Sequence, residues 1–370
     1  MKRKGFSGRI IKLRLSLLIA LAGFIITGCS VVPYTPAITD SDGETIPGSV
    51  TFLEEVDIGG VKEWLVIRGK SINNPILLFI HGGPGSAEGP LVCYYNKKLE
   101  DYFIVVNWDQ RGAGKSFSRK IPVETMTISQ FITDTYQVVN FLRIKFNQDK
   151  IFIIGHSWGS VLGILTVQKY PQLFYAYIGV GQMVNGKENE RLSFKYALDT
   201  ALETNNQKAI RRLNEINSPT PYWTIEKDGD WFNKFRKQRE CLLKLGGCIY
   251  KEKNYNKWIK VFLEAPEYTM GDSVKWIQGN YFSTKAMWPE IMQIDLVKQV
   301  PKLEVPVYFL IGRHDYNTPF ELAEEYFSQL EAPKKEFLWF DNSAHSPMYE
   351  EADKFNNVLI EKIRPKILGK

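Results

Sequence analysis

The chain has 370 residues, 44% of them hydrophobic, with 47 lysines and arginines against 41 aspartates and glutamates. Six of the basic residues and no acidic residue lie in the first 29 positions, so the remainder carries 41 of each sign and no net charge. This balance excludes the basic surface of a nucleic-acid-binding protein. The four histidines and four cysteines lack the spacing of metal ligands, so we expect neither a metal nor a cofactor. Cys241 and Cys248 are near enough in sequence for a disulfide, with free thiols as the alternative.

The N-terminal residues predict export and lipid attachment. An uncharged run at 15–28 follows the basic residues and is shorter than the ~20 residues that a membrane-spanning helix needs. It ends in Ile26–Cys29, Ile-Thr-Gly-Cys, which resembles the bacterial lipobox, whose cysteine becomes the lipidated first residue. We predict a lipoprotein signal peptide at 1–29, with Cys29 lipidated and the chain anchored outside the cytoplasm to a cell membrane or outer membrane. An uncleaved signal anchor and ordinary signal-peptidase cleavage are the alternatives.

Beyond the signal, the sequence predicts an α/β domain. Residues 30–48, rich in proline, threonine, aspartate and glycine, are typical of a flexible tether. Two runs that meet at Gly59-Gly60 then indicate an edge hairpin, and Thr127 with Gln130 resembles a capping box that opens a helix. Strands alternate with helical patterns, which favours a parallel sheet flanked by helices. The predicted strands are at 50–58, 61–68, 75–80, 102–107, 151–154, 175–180, 305–312 and 335–340.

The alternation of strand and helix patterns ends in the middle of the chain. Helical stretches such as 189–204 and 206–216 follow instead, and the region carries many aromatic side chains. We predict a helical cap at 182–300, inserted into a core formed by 49–181 and 301–370. Such a cap would wall a site, select its substrate and exclude bulk water. For most of the aromatic residues, a place in the cap's own core is the alternative.

One pentapeptide has the pattern of a nucleophile elbow. Gly155–Gly159 reads Gly-His-Ser-Trp-Gly and lies between an apolar run at 151–154 and a helical stretch at 161–167. The two glycines permit a tight strand-to-helix turn, which would hold the Ser157 hydroxyl above the sheet edge at a helix N-terminus. A serine in that position can attack a carbonyl group.

Such a serine needs a histidine base and a carboxylate that orients it. His345 follows a predicted strand in a polar turn, whereas the other three histidines lie beside other motif residues. Asp315 directly follows the buried run at 305–312 and is the predicted acid, although it could instead serve the turn or cap of the next helix. Asp341 is the reserve acid. The order Ser157, Asp315, His345 is that of the α/β-hydrolase triad.

The remaining component is an oxyanion hole, which backbone N–H groups can provide. One is the N–H of Trp158, directly after the nucleophile. The other is expected from His-Gly-Gly-Pro-Gly at 81–85, which follows the strand at 75–80. Pro84 has no N–H, so Gly82, Gly83 and Gly85 are possible donors, and we favour Gly83.

Five segments together resemble the prolyl aminopeptidase (proline iminopeptidase) branch of the α/β hydrolases. The resemblance implies the α/β-hydrolase fold, a mostly parallel central sheet flanked by helices with an inserted helical cap. It also implies the Ser157, Asp315, His345 triad. Enzymes of that branch release an N-terminal residue, often proline, from short peptides, and acidic groups of their cap hold the free amine. The segments are His81-Gly-Gly-Pro-Gly85, Trp108-Asp-Gln-Arg-Gly112 with Gly114-Lys-Ser116, Gly155-His-Ser-Trp-Gly-Ser160, Gly312-Arg-His-Asp315 and Ala344-His345.

The resemblance also has a departure that bears on substrate. Many monomeric members carry Leu-Arg-Gly after the sixth strand, whereas this chain reads Ile-Gly-Val-Gly-Gln-Met at 178–183. Acidic residues of the cap that could hold an amine include Glu188, Glu190, Asp199 and Glu203. We expect a serine hydrolase that acts through an acyl-enzyme, an aminopeptidase or amidase on small molecules or short peptides. A carboxylesterase is the alternative, and a catalytically silent binding lipoprotein with this fold is a third reading.

Overall fold

A computed structural model describes residues 32–216 and 229–369. The predicted signal peptide and Cys29 therefore lie outside the described residues. Within them, eight strands form one sheet in the order β1-β2-β4-β3-β5-β6-β7-β8. The strands are β1 Val50–Ile58, β2 Val61–Gly69, β3 Ile76–Ile80, β4 Ile104–Asp109, β5 Ile151–His156, β6 Phe174–Val180, β7 Val307–Gly312 and β8 Lys335–Phe340.

The sheet confirms the predicted fold class. β1 pairs with β2 and β2 with β4 in antiparallel fashion, while the other five pairs are parallel. The predicted hairpin is therefore the antiparallel edge of an otherwise parallel sheet. Side chains of β3 alternate between two hydrophobic clusters, with Leu78 on one face of the sheet and Leu77 on the other. Both faces are buried because helices cover each of them, as parallel sheets require.

In the part of the chain that the structure describes, four α-helices of the core connect strands, and three more follow β8. They are α1 Gly89–Tyr95, α2 Ile128–Lys145, α3 Trp158–Lys169, α10 Phe320–Gln329, α11 Pro347–Glu350, α12 Ala352–Asn357 and α13 Arg364–Leu368. The Thr127 side chain accepts a hydrogen bond from Gln130 N at 3.2 Å, so it caps α2 as predicted. The Gln130 side chain donates to Asp134 at 2.8 Å, so Gln130 takes part in the cap only through its backbone N–H group.

Among the described residues, six helices lie between β6 and β7, where the sequence predicts the cap. They are α4 Gly186–Glu203, α5 Gln207–Asn214, α6 Trp231–Lys244, α7 Asn256–Glu264, α8 Met270–Ile291 and α9 Leu296–Gln299. A capping box of Thr269 and Asp272 starts α8. Near this point buried polar contacts join the cap to the core, because Lys115 Nζ lies 2.9 Å from Asp272 Oδ2 and Tyr268 donates to Asp109.

Part of the predicted tether contacts the body of the protein. Tyr34 N donates to the Pro266 carbonyl at 3.1 Å, and the Thr35 hydroxyl donates to Glu267 at 3.2 Å. Arg68 donates to the Pro36 carbonyl at 2.6 Å. The first two bonds hold residues 34 and 35 beside the connection between α7 and α8, and the third joins Pro36 to β2. The predicted domain boundaries remain predictions.

The described residues contain three cysteines, all as free thiols. Cys241 and Cys248 are buried and are not joined by a disulfide. Burial raises the pKa of Cys248 to about 12, so this thiol stays protonated at neutral pH.

Candidate active site

Ser157 lies in a strained turn at the carboxyl end of β5, in the middle of the sheet. Its φ of 56° and ψ of −121° are unusual for a residue with a side chain and are typical of a functional turn between strand and helix. Each flanking glycine is required by a close approach. A Cβ on Gly155 would lie 2.2 Å from the Gly159 carbonyl oxygen, and one on Gly159 would lie 2.1 Å from the Ile80 carbonyl oxygen. The structure thus has the predicted strand, turn and helix around Ser157.

Asp315 is fully buried in the loop between β7 and α10. Its Oδ1 accepts the backbone N–H groups of Asn317 and Thr318, both at 2.9 Å. Its Oδ2 accepts the Thr318 hydroxyl at 2.8 Å and His345 Nδ1 at 2.9 Å. The carboxylate therefore shapes its own loop and orients the imidazole, so both functions considered for Asp315 occur together. Thr318, which the sequence did not single out, bonds to the same carboxylate oxygen as the histidine.

His345 lies in the loop after β8, with its ring against the end of β6. A Cβ on Gly181 would lie 3.0 Å from His345 Nδ1, so only a glycine leaves room for the ring there. Ser157 N donates at 3.0 Å to the carbonyl of Val180, the residue before Gly181. Ser157 and the His345 ring therefore both lie at the end of β6. Within the described ranges, however, no hydrogen bond joins the Ser157 hydroxyl to His345, although the sequence predicts one. Such bonds often form only when substrate is present.

Residues that the sequence offered as alternatives lie elsewhere. Asp341 is largely exposed and pairs with Arg313 at 3.2 Å. His314 stacks on the Tyr250 ring at 4.3 Å between centroids, and its Nε2 bonds to the Asp341 carbonyl at 3.2 Å. Neither residue contacts His345 through a hydrogen bond in the described part of the chain. Asp315 is thus the carboxylate that meets the imidazole.

The glycine loop at 81–85 packs directly on the nucleophile. A Cβ on Gly82 would lie 3.0 Å from Ser157 Cβ, and Gly83 has a φ of 112°, which favours glycine. No hydrogen bond from the N–H of Gly83 or of Trp158 occurs within 32–216 and 229–369. In an oxyanion hole, such N–H groups donate to the ligand and not to the protein.

Gln110 joins this loop to the elbow, a role that the sequence did not reveal. Its side-chain amide donates to the His81 carbonyl at 2.9 Å, and its Oε1 accepts the Trp158 indole N–H at 3.1 Å. The Gln110 backbone N–H donates to His81 Nε2 at 3.2 Å, while His81 Nδ1 donates to the Gly82 carbonyl at 2.8 Å. Burial lowers the pKa of His81 to about 4, so the ring is neutral and can accept that bond.

A second buried histidine, His156, contacts the backbone of His345. His156 Nδ1 donates to Glu88 at 2.7 Å and Nε2 donates to the His345 carbonyl at 3.0 Å, so both ring nitrogens face acceptors. Burial lowers the pKa of His156, but Glu88 and the carbonyl outweigh burial, and the pKa is raised overall. The His156 and His345 rings lie 4.7 Å apart between centroids. The His156 ring thereby holds the backbone of His345.

Helix α8 of the cap rests on the glycine loop. The Thr284 hydroxyl donates to the Pro84 carbonyl at 3.2 Å, and Asn280 donates to the Ser86 hydroxyl at 2.7 Å. Farther along the interface, the Ser283 hydroxyl donates to the Gly112 carbonyl at 2.9 Å. The cap thus fixes the position of the segment that carries the expected oxyanion donor.

The four acidic cap residues have different environments. Glu188 and Asp199 are substantially exposed and pair with the neighbouring cations Arg191 and Lys195, respectively, on their own helix. Glu203 is exposed at the end of α4. Glu190 is fully buried and pairs with Arg239, and burial raises its pKa while Arg239 opposes the rise. Among the four, the buried carboxylate is therefore Glu190.

The described residues contain no group of three or more histidine, cysteine, aspartate or glutamate side chains arranged to hold a metal ion. Nor does any helix in that part of the chain combine the length and the apolar character needed to cross a membrane.

The candidate site brings together a hydroxyl at a strained turn, an oriented imidazole and two backbone N–H groups. These groups can perform nucleophilic attack on a carbonyl group.

Comparisons with known proteins agree with this geometry. A family model described as the alpha/beta hydrolase fold matches residues 75–352. The chain is 35% identical over 317 residues to the probable aminopeptidase YbaC of Bacillus subtilis (strain 168), covering 85% of this chain and 97% of that protein. It is 26% identical to the proline iminopeptidase of Heyndrickxia coagulans, covering 88% and 97%. The crystal structure of proline iminopeptidase from Mycobacterium smegmatis has the same fold, with a TM-score of 0.55, 15% identity, and coverage of 86% and 99%. The chain belongs to the α/β hydrolase family.

Proposed function

We propose that the chain is a serine aminopeptidase whose nucleophile is Ser157, whose base is His345 and whose orienting acid is Asp315. One observation carries the proposal, the 2.9 Å contact between His345 Nδ1 and Asp315 beside the strained turn that bears Ser157. The similarity to an aminopeptidase and to proline iminopeptidases supports the choice of reaction.

In the proposed mechanism, His345 takes the proton of Ser157 as the hydroxyl oxygen attacks the carbonyl carbon. Asp315 holds the Nδ1–H tautomer, so that Nε2 is left to accept that proton. The N–H groups of Gly83 and Trp158 stabilise the oxyanion. His345 then protonates the leaving amine, and water, activated by the same imidazole, releases the acid from the acyl-enzyme.

A free α-amine in the substrate requires a counter-charge, because an isolated buried ammonium group is costly. Glu190 is the best candidate among the cap acids. Oε1 bonds to Arg239 and to Asn189, but the described residues supply no hydrogen bond to Oε2, which is buried. Asn189 also donates to the Asn317 carbonyl at 3.0 Å, two residues after Asp315, which keeps this part of α4 beside the acid loop. A substrate ammonium group would supply the missing donor.

The test compares hydrolysis of aminoacyl arylamides, including that of proline, with hydrolysis of their N-acetylated forms. An aminopeptidase cleaves the free amine and not the acetylated form. Glu190→Gln should raise KM for the free amine with little effect on Ser157 labelling by a fluorophosphonate. Glu188→Gln and Glu203→Gln, on the same helix, are the controls and should leave KM unchanged. Equal hydrolysis of free and acetylated substrates would eliminate the aminopeptidase and leave a general amidase or a carboxylesterase, which short acyl esters would identify.

We also propose that the chain is attached to a membrane through a lipid on Cys29, outside the cytoplasm. The lipobox-like sequence Ile26–Cys29 after an apolar run supports this. Expressed in bacteria, the wild type should fractionate with membranes and carry a lipid-modified N-terminal cysteine, whereas Cys29→Ser should remain unprocessed or lose the lipid. An unmodified mature N-terminus at another residue, detected by mass spectrometry, would refute the attachment.

A further inference from the structure

The cap exposes an unusual concentration of apolar side chains. Seven of the 17 large hydrophobic residues that are exposed in the described part of the chain lie between positions 255 and 281. On α8 the exposed fractions are 74% for Met270, 52% for Val274 and 65% for Ile277, and on α7 they are 51% for Ile259 and 50% for Leu263. We call these five residues the apolar face of the cap. α7 and α8 lie side by side, because the Phe262 and Trp276 rings are 5.4 Å apart between centroids. Exposed apolar groups concentrated on neighbouring helices mark an interaction surface.

The other side of α8 already has its partners. Trp276 donates to the Ala87 carbonyl at 2.9 Å, and Ser283 and Asn280 bond to the core loops. Met270, Val274 and Ile277 follow the i, i+4, i+7 spacing of a single helix side. One side of α8 is therefore apolar, and other residues of the helix make its contacts with the core. This pattern is typical of a helix that lies between the body of a protein and another apolar surface.

The N-terminal segment reaches this same end of the cap. Tyr34 and Thr35 bond to Pro266 and Glu267, in the connection between α7 and α8. Cys29 precedes Tyr34 by only five residues, which can span at most ~18 Å at ~3.6 Å per residue. From Met270 to Ile277 the helix rises ~10 Å. A membrane that holds the chain through its first 29 residues, by a lipid or by the apolar run itself, is therefore within reach of the apolar face.

The charge around the apolar face suits an anionic lipid surface. Six lysines between residues 251 and 285 are exposed, whereas two of the four acidic residues in that stretch, Glu267 and Asp272, are buried. Lysines beside an apolar surface can extend their ammonium groups to lipid phosphates while their methylene stems remain on the apolar side. The exposed lysines are Lys251, Lys253, Lys257, Lys260, Lys275 and Lys285.

We propose that the apolar face of the cap lies on the surface of the anionic membrane to which the N-terminus is attached, with its side chains among the lipid headgroups and upper acyl chains. This inference rests on the proposed membrane attachment and is independent of the hydrolase mechanism. In this arrangement, one side of α8 contacts the bilayer and the other side contacts the glycine loop of the active site.

The experiment uses the full chain, purified from bacterial membranes and reconstituted into vesicles of phosphatidylglycerol and phosphatidylethanolamine. An environment-sensitive fluorophore is attached to Ile277→Cys, and to the matched control Ile144→Cys. Ile144 is 82% exposed near the end of α2, away from the cap. The native thiols react slowly because burial raises the pKa of Cys93, Cys241 and Cys248, and the unsubstituted chain reports any background. Turnover of an arylamide or ester shows that each labelled chain is folded.

We expect emission from position 277 to shift to shorter wavelength and to be quenched by lipids with brominated acyl chains, whereas position 144 shows neither effect. A water-like, unquenched signal at 277 in a membrane-bound chain would overturn the inference and leave the attachment standing. A wavelength shift without lipid quenching would overturn it in favour of a second copy or another protein. A wild-type chain absent from membranes would overturn both the inference and the attachment, while turnover of the same sample would still report on the hydrolase.

Discussion

Replacement of Asp315 by asparagine should give the wrong tautomer of His345. Two backbone N–H groups, of Asn317 and Thr318, point at Oδ1, so the amide oxygen of the introduced side chain would occupy that position. The amide NH₂ group would then replace Oδ2 and face His345 Nδ1, now 2.9 Å from a donor instead of an acceptor. Nδ1 would have to accept, the proton would move to Nε2, and the imidazole could no longer take the proton of Ser157.

The expected loss in kcat is about 10⁴-fold, the magnitude found for the same change in the serine-protease triad. Asp315→Ala should lose less activity than Asp315→Asn, because the Thr318 hydroxyl, 3.2 Å from Nδ1, can accept its proton and preserve part of the productive tautomer. The assay is steady-state hydrolysis of an activated ester and an aminoacyl arylamide, with circular dichroism as a check on folding. Activity of Asp315→Asn within tenfold of the wild type would contradict the assignment of this carboxylate.

Three further predictions concern the turn and the contacts between cap and core. Gly159→Ala places a Cβ 2.1 Å from the Ile80 carbonyl oxygen, so the displaced elbow should cost at least ~10²-fold in kcat/KM, and an unchanged rate would refute the packing. Burial raises the pKa of Asp109 to about 6, against opposition from Tyr268, so the folded state keeps a proton that the unfolded state loses. Wild-type stability relative to Asp109→Asn should therefore fall by up to ~3 kcal/mol as pH rises from about 4 to above 6, measured by urea unfolding. Lys115→Met leaves buried Asp272 without its closest cation and should cost ~3 kcal/mol, and addition of Asp272→Asn should recover most of that loss.

Features set by neighbouring residues were predictable from the sequence. The elbow around Ser157 requires glycines two positions away on either side, and the close approaches at Gly155 and Gly159 show why. Strand positions were right within two residues, although β5 extends through His156 because its last two residues still pair with Gly179 and Val180. The acid at Asp315 and the base at His345 follow two neighbouring strands that end at the same edge of the sheet, which makes their meeting predictable.

Contacts between ordinary polar residues distant in sequence were not predictable. Gln110 belongs to the segment Trp108–Gly112 that contributes to the family resemblance, but nothing in that segment predicts a bridge between Trp158 and His81. The bridge exists because β3, β4 and β5 end side by side. Likewise, the pairing of Glu88 with His156 spans 68 residues. The cap acids illustrate the same limit, since Glu188 and Glu190 differ by two positions but one faces solvent and the other is fully buried. Residue type and sequence position do not distinguish the two glutamates. The packing of α4 against α6 determines which of them is buried.

The most direct test of the central claim is covalent labelling of the intact enzyme with a fluorophosphonate, followed by mapping of the modified residue by mass spectrometry. The account predicts stoichiometric modification of Ser157, no labelling of Ser157→Ala, and strongly slowed labelling of His345→Ala, because serine and histidine act as a unit. Modification at another residue, or hydrolytic activity that persists in Ser157→Ala, would contradict it.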